Sequence, residues 1–329
     1  MQQLWKAAVL DYVRRRNRME THYEWIEDGF IQDSRDDFKI QQGLKRIKEW
    51  HKERGVQPIR SESSIRILHH RAVEDRLNVT VMIQKTTHFR QGQLEYDESR
   101  IDIERLELRQ QGNQWNIRTI VRDVPERSSF FYDRNIKWKQ KKESQPLIRV
   151  PALQTNGLHR PGKRHYDRNK AKAYADMWWD HPNPNFMSFD VDCTNFVSQC
   201  LYAGGAPINY TGKRESGWWY RWQNGKDQWS FSWSVSNSLK RYLSSSQNGL
   251  RAEQLDDPRG LDIGDCIIYD WDGDGRYQHS TIVTSKDASG MPLVNAHTIN
   301  SKNRYWDYRD SPAWTPRTVY CFMHIIDDF

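Results

Sequence analysis

Cysteine is scarce in this sequence: Cys193, Cys200, Cys266 and Cys321 are the only four in 329 residues. They form no CxxC pair and show no metal-ligand spacing, which argues against a thiolate metal site and favours a reducing compartment. Apolar runs are short as well. None approaches the roughly 18 residues a membrane helix needs, so no membrane span is expected. The first residues place Lys6 early, then a short apolar patch (Ala7, Ala8, Val9, Leu10), then Asp11 and a cluster of arginines. That order is wrong for a signal peptide, so a cytoplasmic location is the default, and secretion would require a leader removed ahead of residue 1. Charge of one sign hardly dominates: 50 Lys+Arg against 43 Asp+Glu leave a net +7.

Hydrophobic residues make up only 36% of the chain, and the mean hydropathy is −0.95. Alone, these values point to disorder. The aromatics point the other way, because disordered chains are poor in rings and this one has 15 Trp, 15 Tyr and 11 Phe. Five tryptophans precede residue 150 (Trp5, Trp25, Trp50, Trp115, Trp138) and ten follow it. The core is therefore expected to be built from rings more than from aliphatics, in two dissimilar halves, and the length suits two domains.

Residues 2–17 read as a basic amphipathic helix, with Leu4, Ala8 and Tyr12 on one stripe and Trp5, Val9 and Val13 beside it. Arg14, Arg15, Arg16 and Arg18 could grip phosphates, but a solvated helix face is the preferred reading. A second helix is expected over 36–53 from Ile40, Leu44, Ile47 and His51, with Trp50 alongside, ended by Gly55 and Pro58. The period then falls to two. Val79, Val81 and Ile83 alternate; Ile101 and Ile103 alternate, and Leu106 and Leu108 continue in the other parity, which predicts a bulge. Another strand should begin at Trp115 and Ile117 after the turn Gly112-Asn113. Residues 1–124 thus form a small α+β domain that resembles, in the order of its elements, the cone-shaped nuclear-transport-factor-type folds. His69 and His70 read as part of a solvated strand face, and no catalytic constellation is visible here.

Residues 125–164 read as a linker, with Pro125, Pro146, Pro151 and Pro161 and the lysines 137, 139, 141 and 142. Phe130, Phe131, Tyr132 and Trp138 suggest that it still packs along one domain.

Residues 165–329 carry the chemistry. Asp167 is a plausible N-cap for a helix with Ala171, Tyr174 and Trp178 on one face, stopped by Pro182 and Pro184. Next comes Asp190-Val-Asp-Cys-Thr-Asn-Phe-Val-Ser-Gln-Cys-Leu-Tyr-Ala-Gly-Gly205. Asp192 caps this helix and Gly204-Gly205 stops it, with Phe196, Val197, Cys200 and Leu201 as its apolar stripe. Cys193 then stands in the first turn, where free N–H groups and the helix dipole favour a thiolate. Cys200, seven residues on and about 10 Å along the axis, cannot bond it and reads as packing. Gly264-Asp265 makes a turn before the strand Cys266–Tyr269, His279 opens the strand Ser280–Thr284, and the strand Leu293–Thr298 puts Asn295 and His297 on one face. A helix bearing Cys at its start, followed by an antiparallel meander bearing His and a later polar residue, is the order a Cys–His–polar triad needs.

These segments, with Trp218-Trp219-Tyr220, Ser232-Trp233-Ser234 and Asp270–His279, resemble the bacterial putative amidase domain family, relatives of the CHAP and NlpC-type cysteine peptidases and amidases with a papain-like fold. The resemblance covers roughly residues 165–325 and rests most on Asp-Cys-Thr-Asn-Phe-Val-Ser-Gln. It implies an amide hydrolase working through a thioester, with Cys193 as nucleophile and His279 as base. His297 is the first choice for the third member and Asn295 the second. An amide or peptide substrate follows, with peptidoglycan-derived peptide one case, and no cofactor is required. The Cys193 N–H is the natural first oxyanion donor, and the loop 181–192 should supply the second, from Asn185 or Ser188. A non-catalytic glycan- or peptide-binding module on the same fold is the alternative. Nucleic-acid binding ranks last, since no recognised module accompanies the pI near 9.1.

Two further features are ambiguous. Asp270, Asp272, Asp274 and Gly275 fit the first half of a calcium loop, but position 12 is Thr281 where a Glu is needed, so a polar turn is preferred. Trp218, Trp219, Trp222, Trp229 and Trp233 read mostly as core, with one or two expected to line the substrate cleft.

Overall fold

The computed structural model describes residues 4–24, 30–31, 33–112, 114–127 and 165–329. The expected linker lies almost wholly outside the described residues, as do Trp25 and Asn113. The chain is α+β and forms two compact units: Met1–Val124 with Asp307–Pro312, and Pro125–Trp306 with Ala313–Phe329. No helix among the described residues is long and apolar enough to cross a membrane.

The first unit has two helices, α1 (Leu4–His22) and α2 (Ser34–Glu53), and four strands, β1 (Gln57–Val73), β2 (Arg76–Gln91), β3 (Leu94–Gln111) and β4 (Gln114–Arg122). The strands pair antiparallel in chain order. Helix α1 buries Trp5, Ala8, Val9, Tyr12 and Val13 against Leu77, Val79, Val81 and Ile83 of β2 and Leu106 and Leu108 of β3. This is the stripe the spacing predicts except for Leu4, which is half exposed, and it is extended by Met19 and by one unexpected member. Arg16 is buried, and its guanidinium bonds Glu104 and Asp102. The solvated arginine face therefore fails at that position. The expected bulge is displaced for a linked reason: β2 and β3 stay in register through residues 101–108, and the register shift lies on the other edge of β3, against β4 between Glu107 and Leu108. Asp102, Glu104, Leu106 and Leu108 share one face, and Ile103 points outward, half exposed. Apolar alternation misreads the parity because two inward positions carry carboxylates.

In the second unit Pro125–Arg127 is a single 3₁₀ turn. It packs here rather than linking, with Glu126 buried against Arg304 and its carbonyl accepting from Trp271 Nε1. Then come α3 (Arg168–Trp178), α4 (Cys193–Ala203), the hairpin β5 (Tyr220–Gln223) and β6 (Lys226–Trp229), α5 (Phe231–Ser234) and α6 (Ser236–Ser245). The remaining strands are β7 (Ala252–Leu255), β8 (Cys266–Asp270), β9 (His279–Lys286), β10 (Pro292–Ala296), β11 (Ser301–Tyr305) and β12 (Val319–Ile325). Within this unit they run antiparallel in the order β11-β10-β9-β8-β12-β7. Phe196, Val197, Cys200 and Leu201 of α4 pack on Ile268, Ile282, Cys321, Met323 and Ile325 of the sheet. Such side chains contribute about 1.5–3 kcal/mol each when fully buried.

Candidate active site

Nearly every polar residue in the α4 string is bound to a defined partner, which explains why the string reads as it does. Trp218 Nε1 donates to Ser198, Trp233 Nε1 to Asn195 Oδ1, and Tyr174 OH to Gln199. Asn195 Nδ2 donates in turn to Met187 O and Asp192 Oδ1. These bonds fix the helix in rotation and along its axis, so the residue at its start is placed rather than merely nearby. Gly204 closes the helix because Tyr166 lies against it: an added Cβ would stand 2.3 Å from the Tyr166 ring. Tyr166 OH donates to Gly264 O. Asp265, the second half of the Gly-Asp turn, is fully buried and accepts from Asp262 N, Arg168, His324 and Ile325 N. It ties α3, the turn and β12 together.

Cys193 lies buried at the floor of a cleft of about 300 Å³. Burial alone pushes its thiol up, but the charge of nearby His279 and the Ser280 N–H outweigh it and hold the thiol below its ordinary value. The other three cysteines are free thiols too, and burial pushes each of them up. His279 starts β9, fully buried, with the Tyr269 ring 5.4 Å away and the Trp271 ring stacked at 5.7 Å. The structure thus brings Cys193 and His279 together.

It takes His297 and Asn295 elsewhere. Strand β10 ends at Ala296, so His297 stands in the following turn and does not share a strand face with Asn295. Its Nδ1 lies 2.8 Å from Asp192 Oδ2 and its Nε2 2.7 Å from Trp178 O, and its ring stacks on Phe196 at 4.0 Å. Both nitrogens face oxygen acceptors, so neither is left to orient His279. Asn295 Oδ1 accepts from Thr284 and Asn303 N, while Nδ2 donates to Asp176. Its amide braces β9, β10 and α3.

The neighbour of His297 supplies what sequence reasoning missed. Asp192 makes no side-chain cap to α4. Instead Thr298 Oγ1 accepts from both Asp192 N (3.1 Å) and Cys193 N (3.2 Å). His297 and Thr298 together clamp the Asp192–Cys193 turn. The expected first oxyanion donor, the Cys193 N–H, is therefore already hydrogen-bonded. Asn185 and Ser188, the expected second donors, do not line the cleft, and Val191 alone does so from that loop. A chain of hydroxyls stands there instead. Ser280 Oγ donates to Ser236 Oγ at 3.0 Å, Thr194 Oγ1 lies 2.7 Å from Ser236, and Ser236 Oγ lies 3.9 Å from Cys193 Sγ. Nothing in the sequence around Ser236 announces this position.

The tryptophans do not line the cleft. Trp218, Trp219, Trp229 and Trp233 are core, Trp222 is exposed, and Tyr277 is the cleft's aromatic residue among those described. The acidic loop is a folded turn. Asp270 is buried and accepts from Asp272 N, Gly273 N and Gly275 N, and Asp272 pairs with Arg127. No group of three His, Cys, Asp or Glu side chains suited to a metal gathers among the described residues.

The second unit is thus an α+β domain in which a buried thiol at the first residue of a helix lines a cleft near a histidine. Residues 165–322, just under half of the chain, match the family described as a "putative amidase domain". It is 50% identical over 163 residues to the uncharacterized protein YhbB of Bacillus subtilis (strain 168), covering 50% of this chain and 51% of that protein. It is 29% identical over 163 residues to the uncharacterized protein YjcM of the same organism, covering 47% of this chain and 36% of that one. The chain therefore spans about half or less of these relatives. No solved structure matches it.

Proposed function

We propose that residues 165–329 form a cysteine hydrolase of amide bonds on a papain-like fold of the CHAP and NlpC type, with Cys193 as nucleophile and His279 as general base. The match of residues 165–322 to a putative amidase domain suggests amide hydrolysis. The observation that carries the cysteine mechanism is placement: of four buried thiols Cys193 alone lines the cleft, at the first residue of α4, and it alone is held down while burial pushes the others up. A binding module has no use for such a thiol, and this favours the enzyme over the binding alternative. Within this reading the substrate is a peptide or other amide, cell-wall peptide included.

His279 takes the thiol proton, and the thiolate attacks the amide carbon, forming a C–S bond and an oxyanion. Ser236 is the side chain best placed to donate to that oxyanion. Ser280 already donates to it, so its own proton can turn from the neighbouring Thr194 hydroxyl to a new acceptor. The Cys193 N–H can join once substrate oxygen replaces Thr298 Oγ1; one such donor is typically worth about 10²–10³ in rate. Proton return from His279 releases the amine as the C–N bond breaks, and water then cleaves the thioester.

The test is limited alkylation of the full chain, with the modified residue identified by mass spectrometry. Cys193 should label fast and the other three slowly, and His279→Ala should slow Cys193. Equal, slow labelling of all four cysteines would sink the reading.

A further inference from the structure

The lining of the cleft above Cys193 has one sign of charge. Arg241 of α6 and Arg276 of the loop before β9 both line it, both exposed, and no Asp or Glu lines it among the described residues. The rest is small and neutral: hydroxyls of Thr194, Ser236 and Ser238 and the amides of Asn237 and Gln278. A third cation stands just behind, with Lys240 Nζ 5.7 Å from the centre of the Tyr277 ring, itself part of the wall. The first turn of α6 also faces this space with no side-chain cap, which adds the positive end of a helix dipole to the same wall. The chain as a whole does not account for this, since its 50 basic and 43 acidic residues are nearly balanced.

We propose that the amide cleaved at Cys193 belongs to an anionic substrate, one that carries a carboxylate lying along Arg241 and Arg276 when its carbonyl reaches the thiol. This rests on Cys193 being the nucleophile. Guanidinium groups suit the purpose because their forked N–H donors match a carboxylate and stay charged at every working pH. At an exposed rim the gain is modest and salt-dependent, so it selects among amides without holding the product tightly.

Iodoacetate and iodoacetamide test this on the full chain, because they alkylate the same atom and differ mainly in a carboxylate. The readout is the ratio of their labelling rates at Cys193. In Arg241→Gln/Arg276→Gln the ratio should fall roughly fivefold against wild type at low salt. The wild-type ratio should itself fall as salt rises from about 20 mM to about 500 mM. Arg241→Lys/Arg276→Lys, which keeps the charge, should retain most of the ratio, and Lys213→Gln, outside the cleft, should not move it. An equal ratio in wild type and the double Gln variant overturns the anionic substrate while Cys193 stands as nucleophile. Slow labelling of Cys193 by neutral iodoacetamide overturns the nucleophile, and the two failures are told apart by that reagent alone.

Discussion

Thr298 has φ 82°, in the left-handed region. A β-branched residue rarely goes there, and the conformation costs about 1–2 kcal/mol. The fold holds it because the hydroxyl so placed accepts two N–H groups at the start of α4. Thr298→Val keeps the shape and the strain but removes the acceptor. The expected loss is that of a helix cap, about 1–2 kcal/mol, or a fall in Tm of about 2–8 °C for a domain of this size. An unchanged melting curve would show that the clamp holds nothing. Cys193 makes the complementary prediction in pH. Its thiol is held down, so alkylation should climb at a pH below the ordinary thiol value of about 8.5. In His279→Ala burial acts without the opposing charge, and the rise should move to higher pH. A rise at the same pH in both proteins would remove His279 from the thiol's environment.

At the scale of elements, the two units were legible to different depths. Helix α4 could be read because its cap position, its stripe and its closing glycines are local signals and its polar residues stand in one unbroken string. The cleft wall was not, because Ser236 and Thr298 reach Cys193 from positions 43 and 105 residues later in the chain, and neither a serine at a helix start nor a threonine in a turn has a distinctive pattern. Strand β3 misled for another reason: period-two reasoning assumes apolar inward residues, whereas Asp102 and Glu104 face in beneath Arg16. Arg16→Met should therefore cost more than a surface charge would, about 1–3 kcal/mol, because it removes a buried charged bond from each of two carboxylates, Glu104 keeping Arg122 and Asp102 keeping Arg100. Acid should act on the same cluster. The neighbouring cations hold Glu20, Asp102 and Glu104 below the usual carboxylate range despite burial. Groups with depressed values stabilise the fold above about pH 4, and this contribution is lost as pH falls through their folded values. Thermal unfolding from pH 7 to pH 2 should show a progressive loss that Arg16→Met flattens; parallel curves would place the acid sensitivity elsewhere.

For the whole molecule, neither net charge nor chain order describes the assembly. The net +7 is a small excess over 50 basic and 43 acidic residues, while the lining of one cleft carries Arg241 and Arg276 and no Asp or Glu among the described residues. A plain division into residues before and after a linker also misses one crossing: Asp307–Pro312 belongs to the first unit, although the chain around it belongs to the second. Within the first unit Trp50 Nε1 donates to Asp307 at 2.9 Å, Arg100 bonds Asp310 at 2.7 Å, and Arg309 bonds Glu53 at 2.9 Å. Asp307 is the weak point, since burial pushes its carboxyl up to about 6 even though Trp50 and the Arg309 N–H oppose the shift. A raised carboxyl binds its proton more tightly in the folded chain, so stability should increase as pH falls from 8 through 6 and level off near the ordinary carboxylate value. Asp307→Asn mimics the protonated form and keeps an oxygen for Trp50. At pH 8 it should raise stability by about 1–2 kcal/mol, after allowance for the lost bond to the Arg309 N–H. By pH 4, where the native carboxyl is already neutral, that gain should disappear. Melting curves of both proteins at the two pH values decide the matter: an equal effect at pH 8 and pH 4 would mean that the Asp307 carboxyl does not titrate with folding, and that the segment is held by its arginines instead.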